Sequence, residues 1–119
     1  MKIYYAHPLY IYNTPQEQRD MDLLNTVFPS HTIINPNNPE ADTLYKETWS
    51  MDVFFELVRD CDLLVFRATP SGQITAGVAA EIREAINCGI SVLEIPSMVN
   101  SRSMNVEQTR EYLKEIGQR

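Results

Sequence analysis

The sequence predicts an α/β fold, a flavodoxin-like or Rossmann-like three-layer sandwich built on a small, mainly parallel sheet. Three observations carry this. Short apolar runs at residues 3–6, 31–34, 62–66 and 90–95 alternate with longer segments of helical periodicity. The run Asp62-Leu63-Leu64-Val65-Phe66 is almost continuously apolar, as in a strand buried on both faces of a parallel sheet. The segments between the runs are long enough for the right-handed helical crossovers that parallel strands require.

Taken in order, residues 3–6 are aromatic-rich and stop at His7-Pro8, where proline removes a ladder donor, so a first strand gives way to a loop reaching about Asn13. Thr14-Pro15-Gln16-Glu17 starts a helix: Thr14 caps, Pro15 suits the first helical position and Glu17 can complete a capping box. That helix is expected to end near Phe28-Pro29. Residues 31–34 form a second strand, closed by Asn35-Pro36-Asn37-Asn38-Pro39, which reads as loop. From there to Lys46 the pattern is weak. Residues 49–59 carry Val53, Phe54, Leu57 and Val58 at helical spacing and lead into the central strand. Thr69-Pro70-Ser71-Gly72 is turn chemistry. Residues 75–88 are helical with Gly89 as the stop, residues 90–95 are another buried strand ending at Pro96, and residues 106–116 close the chain as an amphipathic helix. Ligands of such sheets bind at the carboxyl ends of the strands, which singles out the loops after Ala6, Ile34 and Phe66.

The 119 residues suit a single domain, 1–119, with one core. Sixteen acidic against ten basic residues give a formal charge of -6, which repels a nucleic acid polymer but leaves a single nucleotide open. Cys61 and Cys88 stand apart in apolar runs and form no C-x-x-C pair, so two buried free thiols in a reducing compartment are expected, without a metal site. No apolar stretch approaches a membrane span and the N-terminus turns polar too soon for a secretory signal, so a cytoplasmic protein with no membrane partner is expected. Neither G-x-x-x-x-G-K-[ST] nor G-x-G-x-x-G occurs, which disfavours ATP hydrolysis and dinucleotide binding.

On a helical wheel at about 100° per residue, Val78, Ile82, Ala85 and Ile86 share an apolar arc, and Arg83, Glu84 and Asn87 lie opposite. Glu81 falls inside the edge of the apolar arc. A carboxylate there is costly unless it is hydrogen-bonded, paired or employed. Gly77, Ala79 and Ala80 are small and leave space for a ligand over the first two turns, where the helix dipole favours an ionised carboxylate. Glu81 is thus a catalytic candidate, with a glutamate snorkelling past the helix edge as the alternative.

The stretch from Asp62 to Pro96 resembles the nucleoside 2-deoxyribosyltransferase superfamily, which includes 2'-deoxynucleoside 5'-monophosphate N-glycosidases. The segments that carry the likeness are Asp62-Leu63-Leu64-Val65-Phe66, Thr75-Ala76-Gly77-Val78-Ala79-Ala80-Glu81-Ile82 and Ile90-Ser91-Val92-Leu93. The opening Ile3-Tyr4-Tyr5-Ala6-His7-Pro8 resembles that superfamily's first strand and substrate loop. The resemblance implies that Glu81 is a nucleophile that attacks the anomeric carbon, expels the base and forms a glycosyl-enzyme resolved by water or a second base. It implies that Tyr4 orients the carboxylate. Six residues before the glutamate, base-exchanging members have an aspartate and monophosphate hydrolases a serine. Thr75 stands there in this chain, a neutral hydroxyl that suits a phosphate at a helix N-terminus and is equally a good N-cap. Hydrolysis is therefore favoured over base exchange.

The superfamily often has an aspartate eight residues ahead of the position of Asp62, and Phe54 stands there in this chain. Asp52, about 200° around an ideal helix from that position, is either the base-binding residue or a solvated side chain. His7 binds phosphate or base, or is a hydrogen-bonded structural residue. Tyr10 and Tyr12 stack on a base or cover the sheet edge, and Arg19 and Arg67 are phosphate partners or surface charges.

The expected activity is N-glycosidic bond cleavage or transfer on (deoxy)nucleosides or nucleoside 5'-monophosphates. Glu81 and Tyr4 are its catalytic residues, and His7, Asp52, Thr75 and Gly77 bind substrate. The resemblance implies no cofactor and no metal, a nucleoside or nucleotide as small-molecule partner, and a homodimer or larger homo-oligomer. The rival expectation is a non-catalytic nucleotide-binding or sensing module of the same fold, and the architecture alone would also permit a flavin-binding domain.

Overall fold

Strands β1 (Lys2–Ala6), β2 (Thr32–Ile34), β3 (Leu63–Phe66) and β4 (Ser91–Glu94) pair in parallel in the order β2-β1-β3-β4. The computed structural model describes residues 1–95, so Pro96 and the helix expected at residues 106–116 lie outside the described residues. The register sets Tyr4 between Ile34 and Leu64. The chain runs from β1 outward to β2 and then back across the sheet to β3, so the strand order reverses between β1 and β3. That reversal is the flavodoxin-like switch point, where a crevice opens beyond the strand ends.

Alternation along the strands feeds two apolar layers. Tyr4, Ala6 and Leu64 pack with Val58 of α3 (Asp52–Arg59) and with Val78 and Ala85 of α4 (Ala76–Asn87). Ile3, Tyr5, Leu63 and Val65 pack on the other face with Leu24 of α1 (Pro15–Val27). Helices therefore cover both faces of the sheet, the three-layer arrangement expected. Arg59 and Glu84 join α3 to α4 by an ion pair of 2.6 Å.

Local chemistry explains most boundaries. Pro15 opens α1, and the Thr14 hydroxyl accepts the Glu17 N–H at 3.4 Å. The reciprocal half of a capping box is displaced by one residue. Thr14 N–H donates to the Ile11 carbonyl, and the Glu17 carboxylate takes Asn13 N–H at 3.2 Å instead. Gly89 stops α4 at φ 72°, where a Cβ would be strained.

Four expectations are corrected. The Asn35–Pro39 cluster is not all loop, since Asn38 caps Ala41 N–H at 2.8 Å and Pro39 opens a further helix, α2 (Pro39–Thr48). Trp49 does not begin the next helix. It ends α2 in the left-handed region at φ 52°, its N–H donating to the Tyr45 carbonyl at 2.6 Å, and α3 starts only at Asp52. Among the described residues β4 is an outer strand rather than a buried one, with Ser91, Leu93 and Glu94 exposed, because β3 alone pairs with it. Cys61 is buried, its thiol pushed up to about 11 by burial, but Cys88 at the end of α4 is exposed. Among the described residues no helix is long and apolar enough to cross a membrane, and no cluster of His, Cys, Asp and Glu could hold a metal ion.

Candidate active site

The pleat of β1 turns Tyr4 toward α4, whose second turn carries Glu81. The two residues are 77 apart in sequence, and the Tyr4 hydroxyl donates a hydrogen bond to Glu81 Oε2. Glu81 is only 6% exposed. Burial raises its carboxyl to about 7, and the Tyr4 hydrogen bond pulls in the opposite direction. Burial and the adjacent carboxylate raise the Tyr4 phenol, so it stays protonated as a donor. Among the described residues the single buried side-chain N or O atom with no hydrogen-bond partner is His31 Nδ1. Glu81 Oε1 takes no hydrogen bond among the described residues.

That space is a cavity of about 580 Å³ with Glu81 in its wall, large enough for a nucleotide-sized ligand. All three loops singled out by the sheet rule reach it: Pro8 and Tyr10 after β1, Pro36 and Asn37 after β2, and Thr75 at the end of the loop after β3. Thr75 is the N-cap residue of α4, yet its side chain makes no cap hydrogen bond. Capping is thus not what its hydroxyl does, and the group stands on the cavity wall beside the helix's first N–H groups, an arrangement that favours anions. Gly77 lines the same wall, and a Cβ built there would meet nothing within 4 Å. The cavity reaches the first turn of α4 because that position lacks a side chain.

His7 is among the residues around the cavity, but its side chain is fully buried and neither nitrogen is free. Nδ1 lies 3.1 Å from the Tyr5 carbonyl and Nε2 lies 2.7 Å from Glu17 Oε2. Its ring stacks on Tyr5 at 3.8 Å and 2°. Burial, opposed by these bonds, lowers the imidazole pKa. Burial also pulls Glu17 upward, but the bonds from His7, Asn37 and Asn13 outweigh it and leave that carboxyl below its ordinary value. Asn37 Nδ2 reaches both Glu17 oxygens at 3.0 Å, so Glu17 ties the loops after β1 and β2 together beneath the cavity. This is the structural alternative for His7, which replaces its reading as a direct phosphate or base ligand.

Asp52 is placed away from the cavity. It is exposed at the start of α3, its N–H donating to Ser50 Oγ at 3.2 Å, while Phe54 faces the cavity from the same helix. Besides Glu81, the carboxylate that lines the cavity is Asp42 of α2, paired with Lys46 at 3.1 Å. Sequence reasoning missed both because α2 was not recognised. Asn38-Pro39 repeats the cap-then-proline signal of Thr14-Pro15 and could have revealed it.

Tyr12 joins the lining and Tyr10 lies at its rim, exposed. Burial, then the Glu81 charge, raises the Tyr12 phenol. Arg67 is not a phosphate partner here. It is buried on the α1 face and grips Asp20 through two bonds of 2.6 Å, while the Tyr5 hydroxyl donates to the same carboxylate at 2.5 Å. Arg19 lies on that side as well, lining a second cavity of about 450 Å³ with Arg67.

No protein-family model and no curated protein matches the chain. A solved structure, the crystal structure of a conserved protein from Enterococcus faecalis V583, is similar to 98% of this chain and 76% of its own, at 23% sequence identity and a TM-score of 0.58. At that identity the likeness bears on the fold alone.

Proposed function

We propose that the protein cleaves the N-glycosidic bond of (deoxy)nucleosides or nucleoside 5'-monophosphates through Glu81, with hydrolysis favoured over base exchange. The observation that carries the reading is a buried carboxylate, held on one oxygen by Tyr4, in the wall of a ligand-sized cavity. A fold gains nothing from such a group, so its position is explained by use.

Glu81 attacks C1' of the sugar, the C1'–N bond breaks, and the electron pair leaves with the base, which takes up a proton from solvent. Water then attacks C1' of the glycosyl ester and gives up a proton to solvent, the C1'–O bond returns its pair to the carboxylate, and the sugar leaves with retained configuration. Tyr4 fixes the carboxylate plane and stabilises the charged form that attacks. Because the carboxyl titrates at about 7, the rate rises with pH through neutrality. Thr75 and the first turn of α4 suit a 5'-phosphate, and Lys46 is a cation of the same lining. The supporting resemblance is the one carried by residues 3–8 and by the stretch from Asp62 to Pro96.

Purified protein incubated with deoxynucleosides and their 5'-monophosphates, with free base followed by chromatography, tests the proposal. Base release that disappears in Glu81→Gln supports it. Thermal stabilisation by these ligands with no base released would reject the enzyme in favour of a binding or sensing module, the reading favoured by Phe54 on the cavity wall.

A further inference from the structure

Trp49 is 72% exposed, in the left-handed region at φ 52°, and lines the Glu81 cavity. Each fact is unusual for a tryptophan at a helix end, where glycine or asparagine avoids the steric penalty. Burial does not compensate for it. A strained, exposed aromatic that the fold does not need points to a ligand.

Its surroundings indicate which kind. Tyr45 lies edge-on to it, with ring centroids 5.7 Å apart at 71°, and Phe54 follows at 5.4 Å from Tyr45. All three rings line the cavity. The polar lining groups Asn37, Lys46 and Thr75 suit a sugar or phosphate and Asp42 a sugar hydroxyl, but neither sugar nor phosphate has an aromatic face to offer. A nucleobase has two such faces, and stacking them on aromatic side chains tolerates many edge patterns.

We propose that the Trp49 indole, buttressed edge-on by Tyr45, is the surface on which the planar leaving group stacks, so that the site selects its base by aromatic area, purines ahead of pyrimidines. This rests on the N-glycosidase reading of the same cavity. Two fused rings cover more of the indole face than one.

Trp49 is the single tryptophan of the chain, so its fluorescence reports the stack directly. Glu81→Gln protein, which holds substrate without turning it over, is titrated with deoxyadenosine, deoxyguanosine, deoxycytidine, thymidine and their 5'-monophosphates. Saturable quenching by purines at concentrations about tenfold below those needed for pyrimidines is expected. In the active protein, Trp49→Gly relieves the backbone strain and should raise KM for purine substrates about tenfold with kcat nearly kept, and Trp49→Phe should restore part of the loss. Base release from wild type with no quenching, or with an unchanged KM in Trp49→Gly, overturns the platform and leaves the glycosidase standing. Purine quenching without base release keeps the platform and removes the enzyme, and neither quenching nor release removes both.

Discussion

Replacing Glu81 by glutamine is expected to stabilise the protein while abolishing base release, and the gain should depend on pH. The folded state raises this carboxyl from 4.5 to about 7 because burial penalises the charged form. At about 1.4 kcal/mol for each tenfold change in proton affinity, that is about 3 kcal/mol against the folded state once both states are ionised. The folded chain holds the proton more tightly than the unfolded one, so wild type keeps its full stability below pH 4.5 and loses this share as pH climbs toward 7. Glutamine stays neutral throughout and still accepts the Tyr4 hydrogen bond. At about 4 °C per kcal/mol for a domain of this size, the variant should melt about 10 °C above wild type at pH 8 and close to it at pH 4. Thermal unfolding followed by circular dichroism at several pH values reads the difference. A constant offset across that range, or a variant less stable at pH 8, would show that Glu81 is not a desolvated carboxylate and would remove the physical basis for its role.

Three further outcomes follow from the same geometry. The Tyr4 hydrogen bond lowers the Glu81 pKa, so Tyr4→Phe should move the acid limb of kcat/KM to higher pH, with a loss of about tenfold or more at pH 7 that narrows by pH 9; a profile scaled down without displacement argues against an orienting tyrosine. Asp20→Ala leaves Arg67 buried without its bidentate partner and should cost about 3–5 kcal/mol, whereas exposed Asp52→Ala should change stability by no more than about 0.5 kcal/mol and leave KM untouched; equal effects in paired melts would contradict both placements. Gly77→Ala adds a methyl to open space and should stabilise α4 by up to about 1 kcal/mol while raising KM, and an unchanged KM would mean that the substrate does not reach that turn.

The elements most legible in the sequence were those whose signals are local. Thr14-Pro15 and Gly89 act on the backbone within a few residues, and the apolar run at 63–66 needs only its own composition to read as a central strand. The same logic failed at α2, where Asn38-Pro39 was submerged in a cluster of turn residues, and with it went Asp42, Tyr45 and Lys46. The helical spacing around Phe54 was legible, but whether Asp52 or Phe54 faced the cavity depended on where α3 begins. Trp49 closing α2 set that start.

By itself the sequence determined the alternation of strands and helices, hence the parallel sheet, the three loops at its ligand-binding end and the anomaly of Glu81, because periodicity, caps and a helical wheel are properties of neighbouring residues. Only the tertiary structure decided the partners of the charged and aromatic groups. Tyr4 meets Glu81 across 77 residues, and Arg67 meets Asp20 across 47. His7 spends both nitrogens on Tyr5 and Glu17. The free energy of a buried charge depends on what the packed chain places within a few ångströms of it, and sequence spacing does not encode that neighbourhood.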